Sequence, residues 1–230
     1  MTNNPNGWHG DTGQHVKYLE DDQVQAFFKA VEENPEPALR VRDTCLFRLM
    51  LSYGLRCAEA SLLTAHHDVD LASDPPRLWV TRVKEKHWRT DAKTGERIHI
   101  KKDRRGHWYP LTSKNVERLR AWLKARAKFT KAKDGPLFVT IQGNPITANY
   151  IYHITARYGA KAGIEGLYPH QFRHTAAIRL AREGASAYAI KEALGHVSVL
   201  SSEHYVTMAG PARLKMDLTS LDAIEGADDD

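Results

Sequence analysis

The sequence lacks several features that mark other classes of protein. Among its 230 residues there are only two cysteines, Cys45 and Cys57, both in apolar stretches with helical spacing, and we expect reduced core thiols in place of a disulfide. No stretch approaches the roughly 20 apolar residues that span a bilayer. The polar segment from Met1 to His15 has no apolar core of the kind found in secretion signals. These absences predict a cytoplasmic protein without a membrane partner.

Metal-binding motifs are also missing. The chain has 12 histidines, including the pair His66-His67, but it contains no His-Glu-x-x-His and no cysteine pair at ligand spacing. Scattered surface histidines are the simpler interpretation, and a metalloenzyme is the weakest hypothesis for this chain. We expect neither a metal site nor a cofactor.

Charge is plentiful but unevenly distributed. The formal net charge is +5, yet residues 77–133 carry 19 Lys and Arg against five Asp and Glu, a local balance of +14 that leaves −9 for the rest. The aromatic residues interleaved with this basic segment are Trp79, Trp88, Trp108, Tyr109 and Trp122. A solvated basic face is the alternative interpretation of any charge run. The length of this one and its aromatic residues favour nucleic acid as the partner.

Apolar spacing predicts a mostly helical chain. The predicted helices, with the residues that cap or end them, are 19–31 (capped by Asp21 or Asp22), 38–53 (ended by Gly54), one beginning near Arg56, one capped by Ser113, one beginning at Thr147, 169–183 (ended by Gly184), one capped by Ser186 and ended at Leu194-Gly195, one carrying Tyr205, and a tail helix opened by Pro211. Between residues 77 and 111 the pattern changes to short apolar segments separated by turn signals. Leu78-Trp79-Val80, Ile98-His99-Ile100 and residues 108–111 are predicted to form three antiparallel strands. The fold class is therefore mostly α with a small antiparallel three-stranded sheet (α+β).

Four residues in the last third of the chain could carry chemistry. His170 and Arg173 lie three residues apart, on one face near the start of a predicted helix, where the helix dipole favours an anion. A guanidinium fork matches two phosphate oxygens. His196 follows a predicted helix end at Gly195, and Tyr205 lies nine residues later. Each residue alone is explained by packing or exposure, but the set suits cleavage of a phosphodiester through a covalent tyrosine intermediate.

These motifs, together with Tyr53-Gly54-Leu55-Arg56-Cys57-Ala58-Glu59 upstream, resemble the signature of the tyrosine recombinases, the integrases of the lambda and Xer type. The resemblance extends from about Tyr18 to Tyr205. It implies the tyrosine recombinase catalytic-domain fold for residues 18–208, preceded by a disordered segment at 1–17. Residues 209–230 would form a tail helix and an acidic end. This tail could pack on its own core or dock on a neighbouring protomer.

The resemblance also implies a role for each site residue. Arg56 and Arg173 would clamp the scissile phosphate, and His196 would donate to it. Tyr205 would attack phosphorus, giving a 3′-phosphotyrosyl link and a free 5′-hydroxyl, while His170 accepts or relays the phenolic proton. Such a reaction requires neither ATP nor a metal ion. Glu59 is better interpreted as a structural residue that orients Arg56.

A lysine of the small sheet acts in this family as general acid for the leaving 5′-oxygen. Lys102 is the favoured residue, although Lys84 or Lys86 could serve instead. The residues expected to contact the DNA backbone are Lys84, Lys86, Lys101, Arg104 and Arg105.

The implied function is site-specific DNA recombination, acting on double-stranded DNA that carries a specific recombination site, as a homo-tetramer on that DNA. The separate N-terminal core-binding domain usual in the family is not seen, so the chain is either a minimal recombinase or a fragment. Two alternatives stay open: a type IB topoisomerase-like enzyme that relaxes DNA, and a non-catalytic DNA-binding regulator. The regulator hypothesis rests on residues 186–205, which could pass for a helix-turn-helix.

Overall fold

The computed structural model describes residues 18–82, 88–90, 97–99, 106–195 and 198–209, with 88–90 and 97–99 described by their backbone alone. Within these ranges the helices are α1 (Asp21–Glu32), α2 (Pro37–Tyr53), α3 (Cys57–Ser61), α4 (Ser113–Arg126), α5 (Ala148–Lys161), α6 (His170–Arg182), α7 (Ala187–Leu194) and α8 (Leu200–Ala209). The strands are β1 (Val69–Asp70), β2 (Arg77–Thr81), β3 (Trp88–Thr90), β4 (Arg97–His99) and β5 (Gly106–Pro110). Of the helices described, none has the length and apolar character needed to cross a membrane. The segments predicted as a disordered start (1–17) and a tail helix (from Pro211) lie outside the described residues.

Most predicted helix ends are found where the sequence places them. Gly54 ends α2 with a φ of 58° and Gly195 ends α7 with a φ of 64°, both in the left-handed region that favours glycine. The hydroxyls of Thr147 and Ser186 accept backbone N–H groups at the starts of α5 and α7. These caps fix where each helix begins and ends around the candidate site.

Two predicted caps are displaced by a residue or more. Helix α1 is capped by Glu20, because the side chain of Gln23 reaches back to accept from the Glu20 backbone N–H at 3.1 Å. Helix α4 is capped by Thr112 in place of Ser113, and the Thr112 hydroxyl accepts from the backbone N–H of Asn115. In both cases neighbouring residues offer similar capping groups, and local geometry decides between them.

The antiparallel sheet has the strand order β1-β2-β5. Trp79 of β2 lies opposite Trp108 of β5, and Val69 of β1 lies opposite Leu78. The fold class is as predicted, but the composition of the sheet is not: Ile98 and His99 lie in β4, which pairs with β3 as a separate two-stranded hairpin. The third place in the sheet is taken by β1, whose two residues are too few to show an alternating pattern.

The core is formed by the helices around a group of aromatic rings. Phe27, Phe47, Tyr158 and Phe172 lie with ring centroids 4.9–6.1 Å apart, mostly edge to face. A second and smaller apolar cluster joins α6, α7 and α8 and includes Tyr205. The candidate nucleophile is thus part of a packed interface between helices.

Two aromatic residues of the basic segment, Trp122 and Trp108, lie in different environments. Trp122 is fully buried and donates to the carbonyl of Leu137, so it is a core residue and is not available to contact nucleic acid. Trp108 is 39% exposed, and the guanidinium of Arg77 lies 4.5 Å from its ring centroid. Trp108 therefore keeps a surface that a polyanion could reach.

Candidate active site

Glu59 is the acidic centre of the site. Its carboxylate is buried on α3 and accepts from the Arg56 guanidinium at 2.8 Å and from the Arg56 backbone N–H at 2.9 Å. The Arg56 side chain is 30% exposed, so the buried Glu59 orients it while part of it faces solvent. This contact agrees with the structural role that the sequence indicated for Glu59.

Arg82, the residue that follows β2, approaches the same carboxylate. Its Nη1 donates to Oε2 of Glu59 at 3.0 Å, and its Nη2 donates to the Ala193 carbonyl at 2.7 Å and to the Tyr109 hydroxyl at 2.8 Å. Arg82 therefore ties the sheet to α3 and to the end of α7. Sequence reasoning did not single it out, because an arginine two residues after an apolar strand has no distinctive spacing.

Arg173 of α6 is the third guanidinium. It is 1% exposed, and its two outer nitrogens donate to the carbonyls of Gly54 at 2.6 Å and Leu194 at 2.5 Å. Its Nη1 lies 4.0 Å from the Glu59 carboxylate. Burial, followed by the charge of Arg56, lowers the pKa of Arg173 to about 9, so it stays protonated at neutral pH. A guanidinium has five N–H donors, more than these two carbonyls use.

We refer to Arg56, Glu59, Arg82 and Arg173 as the Glu59 cluster. Three positive side chains surround one buried carboxylate, so the cluster keeps a net positive charge. A buried or half-buried excess of positive charge costs free energy in the free protein and is relieved by an anion. The arrangement is suited to neutralising a phosphate at its exposed side, where Arg56 lies.

His170 is the first residue of α6. Its ring meets the ring of His174 edge to face, with centroids 4.5 Å apart. His170 keeps an exposed edge, but the protein atoms around its ring and then the charges of Arg173 and Arg56 lower its pKa to about 4. The imidazole is therefore neutral at physiological pH and can donate one N–H to a phosphate oxygen.

Tyr205 of α8 is almost fully buried, with 5% of its surface exposed. Its hydroxyl lies 2.6 Å from Nδ1 of His174, the residue after Arg173. Burial raises the pKa of Tyr205 to about 12, and the nearby Arg173 opposes this shift without cancelling it. The sequence assigned the phenolic proton to His170; the structure places His174 in contact with the hydroxyl.

His174 was missed by sequence reasoning, although a signal for it exists. It lies four residues after His170, which puts both rings on the same face of α6. A search for functional residues one turn further along the face of α6 that carries His170 would have identified it.

The structure brings four of the predicted site residues together. Arg56 and Arg173 belong to the Glu59 cluster, and His170 and Tyr205 both lie next to His174. The other predicted residues, which are His196, Lys102, Lys84, Lys86, Lys101, Arg104 and Arg105, lie outside the described residues. Leu194 and Gly195, which directly precede His196, are described, and the Leu194 carbonyl is held by Arg173.

Among the described residues, one group has potential metal ligands close together. His66, His67 and Asp134 each offer one ligand atom, and these atoms lie within 4.8 Å of one another. All three side chains are exposed, as the sequence indicated for the two histidines. The group shares no residue with the Glu59 cluster.

Comparison with known proteins gives one family and several relatives. The model of the Phage integrase family matches residues 17–210. The chain is 26% identical over 189 residues to the type 1 fimbriae regulatory protein FimB of Escherichia coli K12, covering 82% of each chain. It is also 26% identical over 190 residues to tyrosine recombinase XerC of Actinobacillus pleuropneumoniae serotype 7, covering 82% of this chain and 54% of XerC.

Among solved structures, the chain is similar to the XerH site-specific recombinase bound to a palindromic difH substrate in a post-cleavage complex. The TM-score is 0.69 at 20% identity, and the match covers 93% of this chain and 56% of XerH. The chain thus spans about half the length of XerC and XerH. At this identity the likeness shows the fold, which is that of a tyrosine recombinase catalytic domain. Since the family match covers most of the sequence, the chain belongs to the phage integrase family.

Proposed function

We propose that this chain is a site-specific tyrosine recombinase that cuts and rejoins DNA through a 3′-phosphotyrosyl intermediate. The observation that carries the proposal is the position of Tyr205: its hydroxyl is held by His174, the residue next to Arg173, whose guanidinium belongs to the Glu59 cluster. A buried nucleophile beside several guanidiniums is suited to attack on a phosphodiester.

In the proposed reaction, Tyr205 attacks phosphorus and displaces the 5′-oxygen. Arg56 and Arg173 offset the charge that builds up on the non-bridging oxygens in the transition state. Neutral His170 donates a hydrogen bond to the same phosphate, and we assign His196 as a second donor. The link keeps the energy of the broken bond, so religation reverses the steps without an external energy source.

A proton for the leaving 5′-oxygen is assigned to Lys102, with Lys84 and Lys86 as the alternatives. The assignment rests on the family resemblance. Substituting each lysine in turn by methionine, and testing the variants on a substrate with a 5′-bridging sulfur, identifies the general acid. Sulfur leaves without protonation, so this substrate restores cleavage for the variant that lacks the acid.

The proposed substrate is double-stranded DNA with a specific recombination site, and the active assembly is a homo-tetramer on that DNA. The XerH structure, solved as a complex with its difH substrate, supports the DNA substrate. The basic segment 77–133 supplies the charge for backbone contacts. Since the substrate is intracellular DNA and both cysteines are free thiols, we assign the protein to the cytoplasm.

Family membership supports this function over the two alternatives. Relatives named tyrosine recombinases favour strand exchange over simple relaxation of supercoils. A non-catalytic regulator would leave the Glu59 cluster and the contact between His174 and Tyr205 without a role. An assay separates the two enzyme hypotheses: a recombinase joins two duplexes at a defined site, whereas a topoisomerase relaxes supercoils without joining partners.

The nucleophile is tested with a suicide substrate that carries a nick near the cleavage site, so that the released fragment cannot be rejoined. The wild-type protein is expected to form a covalent adduct, visible as a mobility shift in a denaturing gel, and Tyr205→Phe is expected to form none. Tyr188→Phe is the matched control, since Tyr188 is 63% exposed on α7. Absence of the adduct with the wild-type protein under all conditions would sink the proposal.

A further inference from the structure

We infer that His174 is a catalytic residue that accepts the phenolic proton of Tyr205 during attack on the phosphate. The inference rests on the proposed function and assigns this proton transfer to His174 in place of His170. His174 lies in hydrogen-bond contact with the oxygen that would form the new bond to phosphorus.

The contact between the two side chains is short and enclosed. Nδ1 of His174 lies 2.6 Å from the Tyr205 hydroxyl oxygen, and the two rings are tilted by 43° with centroids 5.8 Å apart. His174 is 8% exposed and Tyr205 is 5% exposed, so bulk water has little access to this proton. With its proton on Nε2, the neutral imidazole offers Nδ1 as an acceptor.

The position of His174 is fixed by the backbone of α6. The Thr175 hydroxyl donates to the Gln171 carbonyl at 2.8 Å and accepts from the Leu19 backbone N–H at 2.8 Å. The Gln171 side chain in turn accepts from the Tyr168 backbone N–H at 2.9 Å. These bonds join α6 to the segment before α1, and they anchor the turn of the helix that carries His174.

A proton acceptor is needed because Tyr205 is a weak acid in its buried position. With a pKa of about 12, roughly one phenol in 10⁵ is ionised at pH 7. A base in hydrogen-bond contact removes this barrier by taking the proton as the phosphorus–oxygen bond forms. Water has little access to the Tyr205 hydroxyl, so it is a poorer proton acceptor there than a side chain already in contact.

His170 is less suited to the same task. Its pKa of about 4 makes it a poor proton acceptor, and the positive charges of Arg173 and Arg56 oppose any further charge on its ring. The two histidines therefore divide the work. His170 donates to the phosphate as a neutral imidazole, and His174 accepts from the nucleophile.

The step balances in protons and electrons. The bond from the Tyr205 oxygen to its hydrogen breaks, and a bond from Nδ1 of His174 to that hydrogen forms. The oxygen electron pair forms the bond to phosphorus, the bond from phosphorus to the 5′-oxygen breaks, and the leaving oxygen takes a proton from the general acid. Religation returns the proton from His174 to Tyr205.

The experiment compares His174→Gln and His174→Ala with the wild-type protein in single-turnover cleavage of the nicked duplex. We expect cleavage to slow by at least about 100-fold, the usual range for loss of a general base, with DNA affinity changed by less than about threefold. His204→Ala is the matched control, since His204 is exposed on α8 and its ring centroid lies 6.2 Å from that of Tyr205. Thermal unfolding confirms that the glutamine variant is folded.

Two further measurements separate proton transfer from a merely structural role. Replacing Tyr205 by a fluorinated tyrosine of lower pKa is expected to raise the rate of His174→Gln by a larger factor than it changes the rate of the protein that keeps His174. The substrate with a 5′-bridging sulfur relieves the general acid alone, and it is therefore expected not to rescue His174→Gln.

Three outcomes with the His174→Gln variant overturn the inference. Cleavage by His174→Gln at the wild-type rate excludes His174 as the acceptor, and faster cleavage shows that His174 restrains Tyr205 instead. A slow variant that fluorination does not rescue shows that His174 acts through position alone. If the wild-type protein forms no adduct, the proposed function fails as well; an adduct with an unaffected His174→Gln variant leaves that function intact.

Discussion

At the scale of single residues, the site is organised by Glu59, which the sequence marked as structural. Arg56, Arg82 and Arg173 approach this carboxylate, at 2.8 Å, 3.0 Å and 4.0 Å respectively. The guanidiniums repel one another, and the buried charge of Glu59 offsets that repulsion. Its role is to hold positive groups at a spacing that they would not adopt alone.

Glu59→Gln keeps the shape of the side chain and removes its charge. We expect a loss of about 3 kcal/mol in the free energy of unfolding, because one partner of a buried ion pair is removed and the arginines are left uncompensated. The measurement is urea denaturation at neutral pH. Asp21→Asn is the control: Asp21 is 75% exposed, and its pair with Arg179 should contribute about 0.5 kcal/mol or less. Equal losses in the two variants would contradict the role given to Glu59.

At the scale of elements, the turn after α2 and the end of α7 are packed against each other. Arg173 bonds to the carbonyls of Gly54 and Leu194, which belong to these two segments. A Cβ atom on Gly54 would collide with the Leu194 side chain. The glycine is therefore required twice, for its left-handed φ and for the close approach of α7.

Gly54→Ala tests this double requirement. We expect a loss of about 2–4 kcal/mol in the free energy of unfolding, since backbone strain adds to the cost of overpacking. Gly166→Ala is the matched control, with a similar φ of 64° and no heavy atom within 4 Å of an added Cβ. Strain alone should cost this control about 1 kcal/mol. If urea denaturation gives the same value for both, the contact with Leu194 is not limiting.

The sequence predicts elements well where a single residue determines the outcome. Gly54 and Gly195 end helices because few other residues adopt a positive φ, and Thr147 and Ser186 cap helices with their hydroxyls. It fails where the determinant is distant in the chain. Strand β1 forms because it pairs with β2, and two residues are too few for a local sequence pattern to predict a strand.

The same distinction applies to the candidate site. Arg56, Arg173, His170 and Tyr205 were identified because their spacing resembles a family signature. Arg82 acquires its importance from contacts with segments 23 to 111 positions away, which no window along the sequence reveals. Sequence reasoning thus identified the proposed reacting groups and missed a residue that positions them.

At the scale of the whole molecule, charge is separated along the chain, with +14 in residues 77–133 and −9 elsewhere. We proposed that this basic segment supplies the contacts to the DNA backbone, and its charge can be tested directly. The double variant Arg104→Gln/Arg105→Gln is expected to weaken DNA binding and to reduce the slope of log K against log salt by about 2 units, because two phosphate contacts are lost. Titrations at several salt concentrations measure this slope.

The control for that experiment is the double variant Arg179→Gln/Arg182→Gln. These arginines already pair with acidic side chains of the protein, at 2.6 Å and 3.5 Å. The control has the same change in net charge and should leave the slope almost unchanged. If both double variants lower the slope equally, net charge governs binding and the predicted phosphate contacts of Arg104 and Arg105 are wrong.

The Glu59 cluster also has a consequence for how this sequence can diverge over evolutionary time. Its three arginines come from the N-cap of α3, the residue after β2, and α6, yet all three depend on the same carboxylate for their charge balance. A substitution at one position changes which residues are tolerated at the other three. We therefore expect these positions to covary among relatives, so that a lineage that loses the acid also loses one of its arginines.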